Sequence, residues 1–121
     1  MKKILIAEDE LAYVKLLRDK LASAYKILEA QDGKKGLEIA KKEHPDLILL
    51  DIRMPVMDGL TMLKMLRQDS YGKKAQVILL TNVEANETIV KQVVKDQPIY
   101  YFVKSDIKLN DLLQKVKELL S

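Results

Sequence analysis

Five short apolar runs without polar alternation constrain this chain most. Strands with one exposed face alternate between polar and apolar residues, whereas strands buried on both faces, as in a parallel sheet, are continuously apolar. The second run is the most polar of the five, which favours an edge strand. The runs are Lys3–Ala7, Lys26–Ala30, Leu47–Leu50, Val77–Leu80 and Ile99–Val103.

Segments with helical periodicity lie between and after these runs. Each carries apolar residues three or four positions apart, which places them on one face of a helix. Glycine and proline interrupt the chain between the segments, for example at Asp32-Gly33 and His44-Pro45. The predicted helical segments are Glu10–Ala24, Lys34–Glu43, Gly59–Gln68, Glu84–Lys95 and Leu109–Leu120.

This alternation of strands and helices predicts an α/β fold with a parallel sheet. Five strands are too few for an eight-stranded barrel, so we expect an open, doubly wound (βα)5 sheet of the flavodoxin-like type, in the order 2-1-3-4-5. The 121 residues suit one domain, and we expect residues 1–121 to form it with no output domain. The functional site of such a sheet lies beyond the carboxyl ends of its strands.

Composition excludes several kinds of site. The chain has no cysteine and one histidine, His44, which excludes thiolate zinc sites, cysteine nucleophiles and Ser-His-Asp triads. Its longest apolar run is far shorter than the roughly 20 residues of a membrane span, so we expect a cytoplasmic domain without membrane contact. The 21 basic residues exceed the 18 acidic ones, but they are scattered, which serves solubility more than nucleic-acid binding.

Polar residues follow four of the five predicted strands. The first strand ends in Glu8-Asp9, the third in Asp51, the fourth in Thr81 and the fifth in Lys104. Each alone has a simpler explanation, such as a helix cap or a solvated charge. Together they would place three carboxylates, a hydroxyl and an ammonium in one crevice. Such a set suits Mg²⁺, or Mn²⁺ in its place, and a carboxylate there can accept a phosphoryl group.

The segment Asp51–Gly59 reads D-I-R-M-P-V-M-D-G. It resembles the phosphoacceptor segment of receiver domains from two-component response regulators, whose pattern is D-x-x-M-P-x-M-D-G. The residues at the other three strand ends match further functional positions of that family with the same spacing. The resemblance covers essentially the whole chain, and the chain is similar to stand-alone receivers of the chemotaxis-regulator type.

The resemblance implies a role for each of these residues. Asp51 would be the phosphorylated residue. Asp9 and Asp51 would ligate Mg²⁺ directly, Glu8 would do so through water, and Arg53 would use its backbone carbonyl. Lys104 would pair with Asp51 before phosphorylation and with the phosphoryl group afterwards.

A conformational switch is also implied by the resemblance. Thr81 would move to hydrogen-bond a phosphoryl oxygen, and Tyr101 would turn into the vacated space, although it could also be a plain core aromatic. The face made of the fourth helix, fifth strand and fifth helix would then repack for a downstream protein or for a phosphorylation-dependent dimer. The donor would be a histidine kinase, a phosphotransfer protein or a small acyl phosphate. The domain would assist its own phosphorylation and dephosphorylation without being an enzyme.

Three positions depart from the family pattern. Ser105 replaces the usual proline after Lys104, which leaves either a trans peptide bond or a cis bond held by its surroundings. Asn82 stands where the family prefers alanine or glycine. Arg53 lies two residues after the phosphoacceptor, where its side chain overhangs the site. We hypothesise that Arg53 and Asn82 lengthen the lifetime of the phosphoryl group.

Other functions fit the sequence less well. A receiver-like binding module without a phosphorylation cycle is the main alternative, although every reactive position is filled. A flavodoxin would need a phosphate loop rich in glycine and hydroxyl groups where Glu8-Asp9-Glu10 stands. A phosphatase with a nucleophilic aspartate would need a second acid at Arg53. Direct DNA binding is not expected, because no helix-turn-helix follows the fifth helix.

Overall fold

The computed structural model describes all residues, 1–121, and contains one five-stranded parallel sheet in the order β2-β1-β3-β4-β5. Five α-helices cover its two faces, so the predicted fold class and strand order are confirmed. The strands are β1 (Lys3–Ala7), β2 (Lys26–Ala30), β3 (Leu47–Leu50), β4 (Val77–Thr81) and β5 (Tyr100–Val103). The helices are α1 (Leu11–Leu21), α2 (Gly33–Glu43), α3 (Gly59–Leu66), α4 (Glu87–Asp96) and α5 (Leu109–Leu120).

The sheet is buried on both faces, as its apolar runs predict. Ile4 and Ile6 pack on the face covered by α1 and α5. Leu5 and Ala7 pack on the opposite face, against α2 and α3. The more polar β2 is an edge strand, which confirms that expectation. No helix of the chain combines the length and the apolar character that crossing a membrane requires.

Three helices begin at a residue whose side chain caps the first turn. Asp32, Asp58 and Asn86 each accept a hydrogen bond from the backbone N–H three residues later, which satisfies an amide that the helix leaves unpaired. The cap at Asn86 explains why α4 begins at Glu87 instead of the predicted Glu84.

Helix α4 packs less deeply than its apolar pattern predicts. Asp96 is the only buried residue of α4. Ile89 and Val93 are half-buried, whereas Val90 is 47% exposed and Val94 is 69% exposed. The apolar stripe of α4 is therefore covered along Ile89 and Val93 and exposed along Val90 and Val94. Because β5 beneath this region is the edge strand, the sheet covers only part of the apolar stripe of α4.

Arg67, just after α3, holds the carboxyl-terminal end of α4. Its Nε donates to the carbonyl of Asp96 at 2.8 Å, and Nη2 donates to that of Gln97 at 3.0 Å. Its Nη1 donates to the carbonyls of Gly72 at 2.7 Å and Ala75 at 2.8 Å. One guanidinium thus joins α4 to the turn that precedes β4, and its partial burial lowers the pKa of Arg67.

We expect Arg67→Ala to lower the free energy of unfolding by about 2 kcal/mol, because it leaves partly buried carbonyl groups without a donor. Urea unfolding measures this change. Arg18→Ala is the matched control, since Arg18 pairs with Glu29 on the surface, where ion pairs contribute little. Equal effects of the two substitutions would contradict the role assigned to Arg67.

Candidate functional site

Parallel pairing brings the polar residues at the strand ends together. The backbone N–H of Asp51 donates to the carbonyl of Ala7 at 3.0 Å, and that of Lys104 donates to the carbonyl of Thr81 at 2.8 Å. Both bonds continue the sheet just past its last strand residues. The hydrogen bonds between the parallel strands therefore fix these side chains at the end of the sheet where the strands have their carboxyl ends.

Three carboxylates form the acidic part of the site. Glu8, Asp9 and Asp51 each offer a carboxylate oxygen, and these atoms lie within 4.8 Å of one another. Glu8 and Asp51 are buried, while Asp9 is exposed. An all-oxygen set with one open side suits Mg²⁺, which takes few carboxylates and keeps several waters. These residues therefore fit a divalent cation.

The ammonium of Lys104 contacts three acidic side chains of the site. Its Nζ forms a close salt bridge with Glu8 and lies 3.4 Å from Oδ2 of Asp51 and 3.5 Å from Oε2 of Glu10. The same Nζ lies 4.6 Å from the centroid of the Tyr13 ring, a cation–π contact. Lys104 thus contacts Asp51, as the sequence led us to expect, but Glu8 is its nearest acidic partner.

The pKa values in the cluster reflect burial and charge together. Burial raises the pKa of Glu8 to about 7, and neighbouring Asp51 adds to the rise, while the bond from Lys104 opposes it. Burial disfavours the charge of Lys104, but the hydrogen bond to Glu8 and the nearby carboxylates raise its pKa overall. Both pKa values are therefore raised, that of Glu8 mainly by burial and that of Lys104 by its acidic neighbours.

The loop after β3 orients the carboxylate of Asp51. Its Oδ1 accepts a 2.7 Å hydrogen bond from the N–H of Ile52, which leaves Oδ2 facing Lys104. Gly59 packs directly against this turn, and its N–H donates to the carbonyl of Ile52 at 2.8 Å. A Cβ at Gly59 would lie 1.9 Å from the carbonyl oxygen of Asp51, so only glycine fits there.

Thr81 and Tyr101 are connected through the backbone of Val83. Thr81 ends β4 and is buried, and its Oγ1 accepts a hydrogen bond from the N–H of Val83 at 3.3 Å. The hydroxyl of Tyr101 donates to the carbonyl of Val83 at 2.6 Å. Thr81 is not the cap of α4, because Asn86 has that position.

A cleft of about 370 Å³ opens above the cluster. Arg53 and Asn82 are exposed residues on its wall. The peptide bonds are all trans, so the bond between Lys104 and Ser105 takes the first of the two expected forms. The cleft residues are Asp9, Glu10, Asp51, Arg53, Thr81, Asn82, Val83 and Lys104.

Sequence reasoning missed three members of this site. Glu10 and Tyr13 both contact Lys104, and Val83 connects Thr81 to Tyr101 through backbone atoms. The spacing of Glu10 and Tyr13, three residues apart where α1 begins, could have placed both on the side of α1 that faces the strand ends. No side-chain pattern points to Val83, since its contribution is its amide and carbonyl.

Known proteins match most of this chain in sequence and in fold. The sequence model of the response regulator receiver domain matches residues 4–117. The polar-differentiation response regulator DivK of Brucella ovis is 38% identical over 81 residues, which are 66% of this chain and 66% of DivK, slightly under two thirds of its length.

Two solved structures are similar over nearly the whole chain. The chemotaxis protein CheY4 of Vibrio cholerae has a TM-score of 0.86 and 26% identity, covering 98% of both chains. The receiver domain of the sensor histidine kinase PA1611 of Pseudomonas aeruginosa has a TM-score of 0.85 and 24% identity, covering 99% of this chain and 98% of that domain. That domain holds a magnesium ion in its active-site cleft; at this identity the likeness shows the fold alone.

Without divalent cations, we expect the free energy of unfolding to fall as the pH rises from about 4.5 to about 7, the interval over which burial raises the pKa of Glu8. In this interval folded Glu8 keeps a proton that the unfolded chain has released, so higher pH favours unfolding. The loss should be roughly 1–3 kcal/mol. Urea unfolding in EDTA at several pH values measures it.

Glu8→Gln is the control for this prediction, because glutamine does not ionise. The variant should lose the part of the pH dependence that Glu8 causes. Mg²⁺ should restore stability to the parent protein at higher pH, since a ligand of the folded state stabilises it. Identical pH profiles for parent and variant would contradict the prediction.

Proposed function

This chain belongs to the response regulator receiver domain family, and from that premise we propose that it is a phosphoacceptor whose Asp51 is phosphorylated with the help of Mg²⁺. The observation that carries the proposal is the setting of Asp51. Its carboxylate lies beside the Lys104 ammonium and within reach of two further carboxylates, at the open end of the sheet.

The reaction would transfer a phosphoryl group to the carboxylate of Asp51. A carboxylate oxygen forms a bond to phosphorus while the bond from phosphorus to the donor breaks, and the electron pair of that bond leaves with the donor. Bound Mg²⁺ would supply positive charge that offsets the charge on the phosphoryl oxygens. Asp9 and Asp51 would hold this ion directly, Glu8 through water, and Arg53 through its backbone carbonyl.

Lys104 would act before and after the transfer. In the unmodified chain its ammonium offsets the charges of Glu8 and Asp51, which are both buried. Phosphorylation adds a group of roughly −2 charge with three strong acceptors. The ammonium would then pair with the phosphoryl group, and its flexible stem allows this without a change in the backbone.

The contacts of Val83 support a route from phosphorylation to the surface. When Thr81 moves to hydrogen-bond the phosphoryl group, it would change its contact with the Val83 amide. The hydroxyl of Tyr101 is bonded to the carbonyl of the same residue, so Tyr101 would respond to the change. Thr81 and Tyr101 are thus the proposed switch residues.

A downstream protein would bind the face formed by α4, β5 and α5. This face includes Val90 and Val94, which are exposed apolar residues of α4, and Ile99 just before β5, which is 40% exposed. Burial of such residues favours association. The same face could join two copies in a phosphorylation-dependent dimer. A histidine kinase or a phosphotransfer protein would be the donor.

Phosphorylation of Asp51 is tested with acetyl phosphate and Mg²⁺. The intact protein should gain about 80 Da, the mass of one phosphoryl group. Asp51→Asn should abolish the gain, whereas Asp58→Asn should retain it, because Asp58 lies in the same loop but caps α3. A protein that gains no mass under these conditions would instead be a receiver-like binding module.

Arg53 and Asn82 on the cleft wall are proposed to slow the loss of the phosphoryl group by limiting the access of water. We expect Arg53→Asn and Asn82→Ala each to speed dephosphorylation by about fivefold, which corresponds to about 1 kcal/mol in the barrier. Arg18→Asn, remote from the cleft, is the control. An unchanged or slower loss of phosphate in Arg53→Asn would refute the part assigned to Arg53.

A further inference from the structure

A second groove lies between α2 and the segment that runs from the β3–α3 loop into α3, and its volume is about 580 Å³. It shares no residue with the cleft above Asp51 or with α4, β5 and α5. Its floor is apolar and is made by Leu37, Met57 and Met65. Leu37 is buried and Met57 is half-buried, while Met65 is 41% exposed.

The two methionines suit the floor of a binding groove. Methionine has an unbranched, polarizable side chain that adapts to the shape of an apolar partner. The volume lies within the range of protein binding pockets. The groove therefore offers an adaptable apolar surface rather than a site for a polar small molecule.

The rim of the groove is positively charged. The charged residues of the rim are three lysines, Lys34, Lys41 and Lys42, and one acid, Glu38. Three ammonium groups and one carboxylate give the rim a net charge of +2. None of these four residues takes part in an ion pair of the structure. Lysines on other helices, such as Lys15 and Lys91, are paired with acids one turn away. The charge on the rim is thus free to attract an anionic partner.

The walls of the groove are held in place before any partner binds. The N–H of Gly33 at the start of α2 donates to the carbonyl of Met57 at 2.9 Å. A Cβ at Gly33 would lie 2.2 Å from that oxygen, so the helix and the loop are in close contact. A preformed groove loses less conformational entropy when it binds.

We propose that this groove binds an acidic amphipathic helix of a partner protein. Apolar residues on one side of such a helix would cover Met57 and Met65, and its flanking carboxylates would face Lys34, Lys41 and Lys42. The surface is additional to the proposed phosphoacceptor function and does not depend on it.

The probe is a fluorescein-labelled helical peptide of about 16 residues, some four turns, with leucine on one side and glutamate on the flanks. Fluorescence anisotropy measures its affinity for the unphosphorylated full chain. Two matched peptides separate charge from apolar contact: one has every glutamate replaced by lysine, and the other has every leucine replaced by serine. The acidic peptide with its leucines should bind the chain. The lysine peptide and the serine peptide should each bind at least tenfold more weakly.

Protein variants locate the binding site. Lys41→Gln with Lys42→Gln should weaken peptide binding by about tenfold and reduce its salt dependence, because rim charges act through long-range attraction. Met65→Ser should weaken binding with little change in salt dependence. Lys73→Gln with Lys74→Gln is the control, since this exposed lysine pair lies outside the groove, and it should bind as the parent does.

Three results would overturn the proposal. These are failure of the acidic peptide to bind, equal binding of the lysine peptide, and equal loss of binding in the two lysine-pair variants. Binding of the chain to phosphatidylglycerol vesicles is measured as a further comparison. Vesicle binding that is lost in the Lys41 and Lys42 variant, without peptide binding, would assign the surface to anionic membranes and reject a protein partner.

Discussion

The ammonium of Lys104 allows the acidic residues of this chain to share one edge of the sheet. Parallel pairing brings Glu8, Asp9 and Asp51 within 4.8 Å of one another, where their mutual repulsion opposes ionisation. Lys104 contacts two of these three acids and also Glu10. Removal of one partner from a buried ion pair leaves an uncompensated charge, which costs far more than an exposed pair contributes. The fold therefore tolerates the site because a lysine directly follows β5.

The sequence predicts the fold and the place of the site, but it does not predict how the side chains pair. Unalternating apolar runs identify the strands, and the topology of an open parallel sheet identifies the edge where ligands bind. Glu8 is the nearest acidic partner of Lys104 because of side-chain length and packing, which no pattern in the sequence encodes. The contacts of Arg67 are equally invisible, since all four of its partners are backbone carbonyls. The exposure of Val90 and Val94 depends on how far the sheet extends beneath α4.

The net charge of +3 conceals three chemically different surfaces. One edge of the sheet gathers carboxylates around Lys104 and suits a divalent cation. The exposed side of α4 is apolar at Val90 and Val94. The groove beside α2 has unpaired lysines above a floor of methionines. A whole-chain average describes none of them, so the partners of this protein are better inferred from each surface than from its pI of about 9.0.

The hydrogen bonds from Arg67 to the carboxyl-terminal end of α4 affect how far each residue of this helix would move if the helix tilted. Helix α4 spans ten residues, which makes it about 15 Å long. If α4 tilted about this guanidinium as a pivot, the opposite end of the helix, which follows Val83 in the chain, would move furthest. Val90 lies about three times as far from the pivot as Val94, at roughly 1.5 Å per residue, so any tilt moves Val90 about three times as far. A protein bound along α4 would therefore detect a tilt of this helix mainly through contacts with the amino-terminal half of α4.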